Sequence, residues 1–153
     1  RFQTDYEQLV LDKRPLSWPS PRMSSYTLPA PGRIAIEGWH VTTRYLQGEL
    51  FMETGDAYRA YLDAASLGGP LQIRARKTGD WFQPLGMEGT KKLNDFMIDA
   101  HIPKYRRDRV PILVSERGLA WVVGWRIAHW ARVTKASREV IEVVFSREGS
   151  SPL

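Results

Sequence analysis

Read from the N-terminus, the alternation of apolar and polar side chains first becomes regular at Tyr26. The runs YTL, RIAIEG and WHVTTRYL are rich in β-branched and aromatic residues and are broken by Pro31, Gly32 and Gly38, which predicts three strands. Ile34 and Ile36 give the second of them one inward face. Ahead of these, YEQLVL (6–11) reads as a short strand, and prolines 15, 19 and 21 make 13–25 an extended lead-in in which regular helix is excluded. Trp18, inside that segment, is expected to dock on the folded body. Further on, FMETGDA (51–57) reads as a loop around Gly55 and 58–62 as a strand. A single helical turn over 63–67 is expected, capped by Asp63 and stopped by Gly68, Gly69 and Pro70.

Past that boundary, Leu71, Ile73 and Ala75 alternate with Gln72, Arg74 and Arg76, which predicts a strand with one apolar and one basic face. Residues 77–89 carry Gly79, Pro84, Gly86 and Gly89 and read as a loop. Thr90 can cap a helix over 90–102, whose Leu93, Phe96, Met97 and Ala100 recur at helical spacing and which Pro103 ends. RVPILVS, LAWVVG and the segment 140–145 predict three more strands, and EGSSPL a frayed tail. Strands with few, segregated helices indicate an α+β class: a mainly antiparallel or mixed sheet with one principal helix packed on it. The expected organisation is a lead-in over 1–25, a β-rich lobe over 26–70, a second unit over 71–149 and a tail over 150–153.

Composition narrows the class. The 153 residues are 42% hydrophobic and 25% charged, as in an ordinary globular protein with one good core. No cysteine is present, which excludes a disulfide scaffold and a thiolate-held zinc, and agrees with a cytoplasmic location. No apolar run reaches the roughly 20 residues of a membrane span, so no membrane role is expected. The polar start without Met suggests a piece of a longer polypeptide.

Charge changes the picture more. The chain carries 22 basic and 17 acidic residues; nine of the basic and five of the acidic lie between Arg74 and Arg109, a net of +4 there and +1 elsewhere. So local an excess points to a polyanion. Lys91 and Lys92 stand in the first turn of the predicted helix, where each is expected to cost about 0.3–1 kcal/mol against the helix dipole. An anion held there, by backbone amides and the preceding glycine loop, would explain them; so would simple solvation. Arg74, Arg76 and Lys77 on the strand side, and Lys104, Arg106, Arg107 and Arg109 beyond the helix, extend the basic surface. Trp81, Phe82 and Tyr105 interleave with them, as RNA contacts require: guanidinium for phosphate, flat rings for bases. Core packing for Trp81 and Phe82, and a local ion-pair network around Asp108, are the plainer alternatives. Asp80, beside Arg76 and Lys77, reads as a loop cap or an arginine partner.

Catalytic signals are weak. His40, His101 and His129 have no metal-ligand spacing, Asp95 and Asp99 fit a solvated helix face, and neither GxSxG, GxGxxG nor a phosphate-loop motif occurs. No catalytic residue and no metal site is expected.

The run RxRxxGDxFxPLGMxGxKKLxDFxIDxxIPxxxRDxxPIL resembles the C-terminal substrate-binding domain of bacterial tRNA(Ile)-lysidine synthetase, and WVVGWRI and VTKASREVIEVVF resemble its end. YTLPAPGRIAIEGW and YLDAASLGGPL resemble the segment leading into it, so the likeness spans about 26–145. The resemblance implies a parent ligase that joins lysine to the wobble cytidine of a minor isoleucine tRNA, through an adenylated intermediate. ATP and Mg²⁺ would be handled by an N-terminal domain with an SGGxDS-type motif, which is absent here. It further implies that this part holds the acceptor stem without catalysing, with Lys91 and Lys92 matching the family's KK, and Arg74 and Arg76 its basic strand. Trp81 and Gln83 depart from the family, which usually has basic residues there. The expected RNA contacts are therefore Arg74, Arg76, Lys77, Trp81, Lys91, Lys92, Lys104, Arg106 and Arg107. The expected partners are the minor isoleucine tRNA and the parent's catalytic domain, with a homodimer possible. The alternative is an architectural or dimerisation domain without RNA contact, motivated by large apolar residues such as Trp121, Trp125 and Trp130.

Overall fold

A computed structural model describes residues 22–48 and 55–147. The expectations for the strand over 6–11, for Trp18 and for the tail lie outside these residues, as does most of the loop over 51–57.

Two antiparallel sheets share one core. The first joins β2 (Gly32–Ile36), β3 (Trp39–Gln47), β11 (Glu139–Arg147) and β4 (Arg59–Asp63) in that order. The second joins β1 (Tyr26–Leu28), β5 (Leu71–Arg74), β8 (Ile112–Ser115), β9 (Gly118–Val122) and β10 (Arg126–Ile127). Strands from both sides of the Gly68–Gly69–Pro70 boundary enter both sheets, since β1 pairs with β5 and β11 lies between β3 and β4. The α+β class holds: the described chain is mostly antiparallel strand with few helices.

Alternation fixes the faces. Along β3, Trp39, Val41 and Thr43 are buried while His40, Thr42 and Arg44 are exposed. An aromatic edge joins the layers: Phe145 of β11 meets Trp121 of β9 at 5.5 Å, and within its own sheet it meets Trp39 of β3 at 5.6 Å. Trp121 is thereby fully enclosed, whereas Trp125 and Trp130 are only partly so.

The turn between β2 and β3 is a two-residue hairpin, with Glu37 and Gly38 both at positive φ (36° and 91°). Such a turn matches the twist of the strands it joins. Glu37 is unusual there, and three bonds hold it: its carboxylate accepts from the Ser24 amide (2.8 Å), the Tyr26 hydroxyl (2.7 Å) and Arg109 (3.3 Å). Burial raises its pKa, but those donors outweigh burial and leave it below the ordinary value.

The helical turn α1 (Ala64–Leu67) forms where expected, with Gly68 left-handed at its end. Asp63 precedes it but caps no amide; its carboxylate instead accepts from the Ser66 hydroxyl at 2.6 Å.

The principal helix differs from the expected one. α2 runs only Leu93–Asp99. Thr90 does not cap it, and Lys91 and Lys92 are not in its first turn: they form β7 (Lys91–Lys92), paired antiparallel with β6 (Trp81–Phe82). This two-stranded ribbon also replaces part of the loop expected over 77–89. The helix ends early because His101 adopts φ 60° and two reverse bonds close it: Ile102 donates to Met97 at 3.0 Å and His101 to Ile98 at 3.0 Å. Leu93, Phe96 and Met97 are buried as the periodicity predicts, and Phe82 meets Phe96 edge-on at 5.0 Å. Phe82 is thus core, settling the alternative left open for it.

Candidate nucleic-acid interface

The ribbon, the start of α2 and a 3₁₀ turn (Lys104–Arg109) surround a cleft of about 670 Å³. Four cationic side chains line it, Arg22, Arg76, Lys77 and Lys92, with Asp80 and Asp108 between them.

Asp80 builds the cleft wall. Its carboxylate accepts both Arg74 guanidinium nitrogens at 3.0 Å and the Lys77 amide at 2.7 Å. Its own carbonyl accepts the Leu93 amide at 2.9 Å. One side chain thus pins the loop over 77–80 to strand β5 and to the helix start. Arg74 is 9% exposed and also donates to the Ala75 carbonyl. This corrects the basic face expected for Arg74 and Arg76: the strand ends at Arg74, whose guanidinium turns inward to a carboxylate. Bidentate arginine–carboxylate pairing of this kind fixes geometry as well as charge.

Arg76, past the strand end, reaches across the cleft. It donates to Asp108 at 3.0 Å and to Asn94 at 2.7 Å. Arg22 shares Asp108 (3.2 Å) and donates to the Arg76 carbonyl, while the Met23 amide bonds the Asp108 carbonyl at 3.0 Å. Residues 22–24 are therefore fastened to the body along the edge of the cleft. Among the described residues, Lys77 and Lys92 have no ion-pair partner. Trp81 stands opposite Lys92 in the ribbon register and is 55% exposed, a flat ring beside an open ammonium.

The other sequence-predicted residues lie elsewhere. Lys91 faces away from Lys92 and pairs with Asp99 of α2. That contact corrects the picture of two adjacent ammonium groups serving one anion. Arg107 is half-buried and donates to the Ile102 carbonyl at 2.9 Å; burial, then the nearby Arg76 charge, lowers its pKa from the ordinary value. Lys104 and Arg106 are exposed on the 3₁₀ turn, and Arg106 lines a second cleft instead of the first. Arg22 and Asp108 complete the main cleft from 86 residues apart, a link that no local pattern signals.

Among the described residues, no group of three or more His, Cys, Asp or Glu could hold a metal ion. The histidines behave as edge residues: His129 accepts the Gly86 amide on Nδ1 at 3.1 Å, and His40 and His101 are exposed. No helix among the described residues is long and apolar enough to cross a membrane.

The profile of the family described as the TilS substrate C-terminal domain matches residues 71–143, the stretch that builds β5 to β10, begins β11 and supplies the lining of the cleft apart from Arg22. Residues 71–143 form a domain of this family. A solved structure of a TilS C-terminal domain superposes on it with a TM-score of 0.70 at 27% identity, covering 83% of this chain and all of that one. The tRNA(Ile)-lysidine synthase of Dehalococcoides mccartyi is 38% identical over 148 residues, which is 94% of this chain and 31% of that protein. The corresponding synthase of Clostridium tetani is 38% identical over 98 residues, 64% of this chain and 21% of that protein. The chain thus spans less than a third of either relative, and its likeness is to the TilS C-terminal part.

Proposed function

We propose that this chain is the tRNA-holding C-terminal part of a tRNA(Ile)-lysidine synthase, gripping the acceptor stem of a minor isoleucine tRNA while a separate catalytic domain attaches lysine to the wobble cytidine. The observation that carries the reading is the cleft in which Lys77, Lys92 and Arg76 converge beside the exposed Trp81. A-form RNA has a major groove too deep and narrow for side chains to read, so a stem is held through its phosphates and its shape. Lysines without carboxylate partners, set on a wall stiffened by Arg74–Asp80, suit that task. Arg74 and Lys91 support the surface; Arg76, Lys77, Trp81 and Lys92, joined by Arg22, present it. ATP and Mg²⁺ act in the catalytic domain, and the setting is the cytoplasm, where the substrate is.

Photo-crosslinking of the tRNA followed by peptide mapping tests this. Crosslinks are expected within 76–81 and at Lys92. Crosslinks confined to the outer face of β2 and β3 would reject it.

A second, architectural reading draws on Leu85 (41% exposed) and Met87 (37% exposed), which with Trp125 line a cleft of about 340 Å³ on the other side of the ribbon. Exposed Leu85 and Met87, beside the charged Lys91, Asp99 and Arg126 of the same cleft, suit docking against the catalytic domain or a second copy, and concentration-dependent light scattering would reveal the latter.

A further inference from the structure

A second cleft, of about 340 Å³, lies on the far side of the 3₁₀ turn, and its chemistry differs from the first. Its lining includes Trp39, Tyr58, Tyr105, Trp125 and three arginines, 106, 109 and 147; among the described residues no carboxylate lines it, whereas two line the first cleft. The rings are prearranged. Trp39 and Tyr58 stack at 5.3 Å, and the Arg147 guanidinium lies over the Trp39 ring at 3.9 Å from its centre. Gly124 makes this possible: a Cβ there would meet the Tyr58 ring at 3.1 Å. Glu37 orients Arg109 at the rim through its 3.3 Å contact. Tyr105, 81% exposed, projects from the 3₁₀ turn beside the opening.

We propose that this cleft takes one unpaired nucleotide of RNA, its base stacked against Tyr105 and the Arg147 guanidinium, its phosphate met by Arg106. The volume is at the lower end of the ~300–1,000 Å³ usual for small-molecule sites, which admits a single base and excludes a duplex. Flat rings interleaved with guanidinium groups are the chemistry of single-strand binding, because every base offers a π-face. The inference deepens the reading above, since it gives the same RNA a second contact: the first cleft holds a stem, the second an unpaired residue next to it. The 3₁₀ turn joins the two, placing Asp108 in one and Arg106 in the other.

The test compares a blunt RNA hairpin, the same hairpin with a four-nucleotide 3′ overhang, and the free single-stranded tetranucleotide, each titrated against the 153-residue chain. The overhang is expected to tighten binding about 5- to 150-fold for one stacked base. Tyr105→Ala and Arg147→Ala should each remove most of that gain without changing the affinity for the blunt hairpin, and Tyr105→Phe should retain it. The tetranucleotide alone should shift the indole N–H resonances of Trp39 and Trp125. An overhang that adds nothing, or a gain that survives Tyr105→Ala, overturns the proposal while leaving the stem reading intact. Loss of blunt-hairpin binding with the indole shifts preserved would do the reverse. Equal indole shifts on adding a glutamate-rich peptide would show a general anion site and overturn the nucleotide assignment.

Discussion

Replacing Lys77 and Lys92 together by glutamine isolates the electrostatic part of RNA binding. Four cations line the main cleft, and the two arginines already spend donors on Asp108. If each of the four neutralises one phosphate, the logarithm of affinity falls by about 0.9 × 4 per decade of salt, so raising salt from about 50 to 200 mM weakens binding roughly 150-fold. With two lysines gone the slope halves, and the same salt step weakens binding only about 12-fold. Folding should hardly change, because exposed lysines outside any network shift stability by less than about 0.5 kcal/mol. Filter binding of tRNA across a salt series reads the slope, and thermal melting reads the fold. Lys91→Gln is the control: its ammonium is paired with Asp99 outside the cleft, so its slope should match the wild type. A double variant with an undiminished slope, or a control that loses as much, would refute the assignment of these lysines to phosphate.

Two further outcomes follow from the buried ion pairs. Asp80→Ala leaves the Arg74 guanidinium uncompensated where both side chains are only 11% exposed, which should cost roughly 3–5 kcal/mol and lower the melting temperature by about 10 °C; a change under about 2 °C would show that water replaces the carboxylate. Glu142, on the central strand β11, accepts from Arg44 (2.6 Å) and Arg59 (2.8 Å); burial raises its pKa, but bonds from Arg44, Tyr61 and Arg59 prevail and hold it below the ordinary value. A depressed folded-state pKa contributes stability that is present above the unfolded value of about 4.3 and is lost as pH falls through the folded one. Glu142→Gln should therefore flatten the loss of stability on acidification, measured by chemical denaturation at a series of pH values, and an unchanged pH profile would exclude this residue as a source of it.

Much of this fold was legible because its strands carry their own signal. β3 is rich in β-branched and aromatic residues and alternates buried with exposed positions through Arg44, while β11 carries a nearly continuous apolar run over 140–145 that suits a central strand. The start of α2 was not legible. Lys91 and Lys92 are followed at once by helical spacing, so a local reading extends the helix over them. Their true state is set by pairing of Lys92 with Trp81 and of Lys91 with Phe82, across the intervening loop, which competes with helix only once the ribbon closes. Charge density singled out Arg76, Lys77 and Lys92, which line the main cleft, but it could not separate Arg74, which has the same charge and a buried partner. The second cleft was invisible for a different reason: Trp39, Tyr58 and Arg147 come from far-apart segments, and only the pairing of β3 with β11 brings Trp39 opposite Arg147.

The position of β11 also governs how the chain can be made. It is the final strand of the described region, yet it fills the middle of its sheet, hydrogen-bonded on both sides. A nascent polypeptide that has emerged only as far as β10 exposes the inner edges of β3 and β4 with nothing between them. Such an intermediate has two raw edges open to foreign strands, so a premature stop before Glu139 should yield an aggregating product, and synthesis of Glu139–Arg147 becomes the step at which this architecture is won or lost.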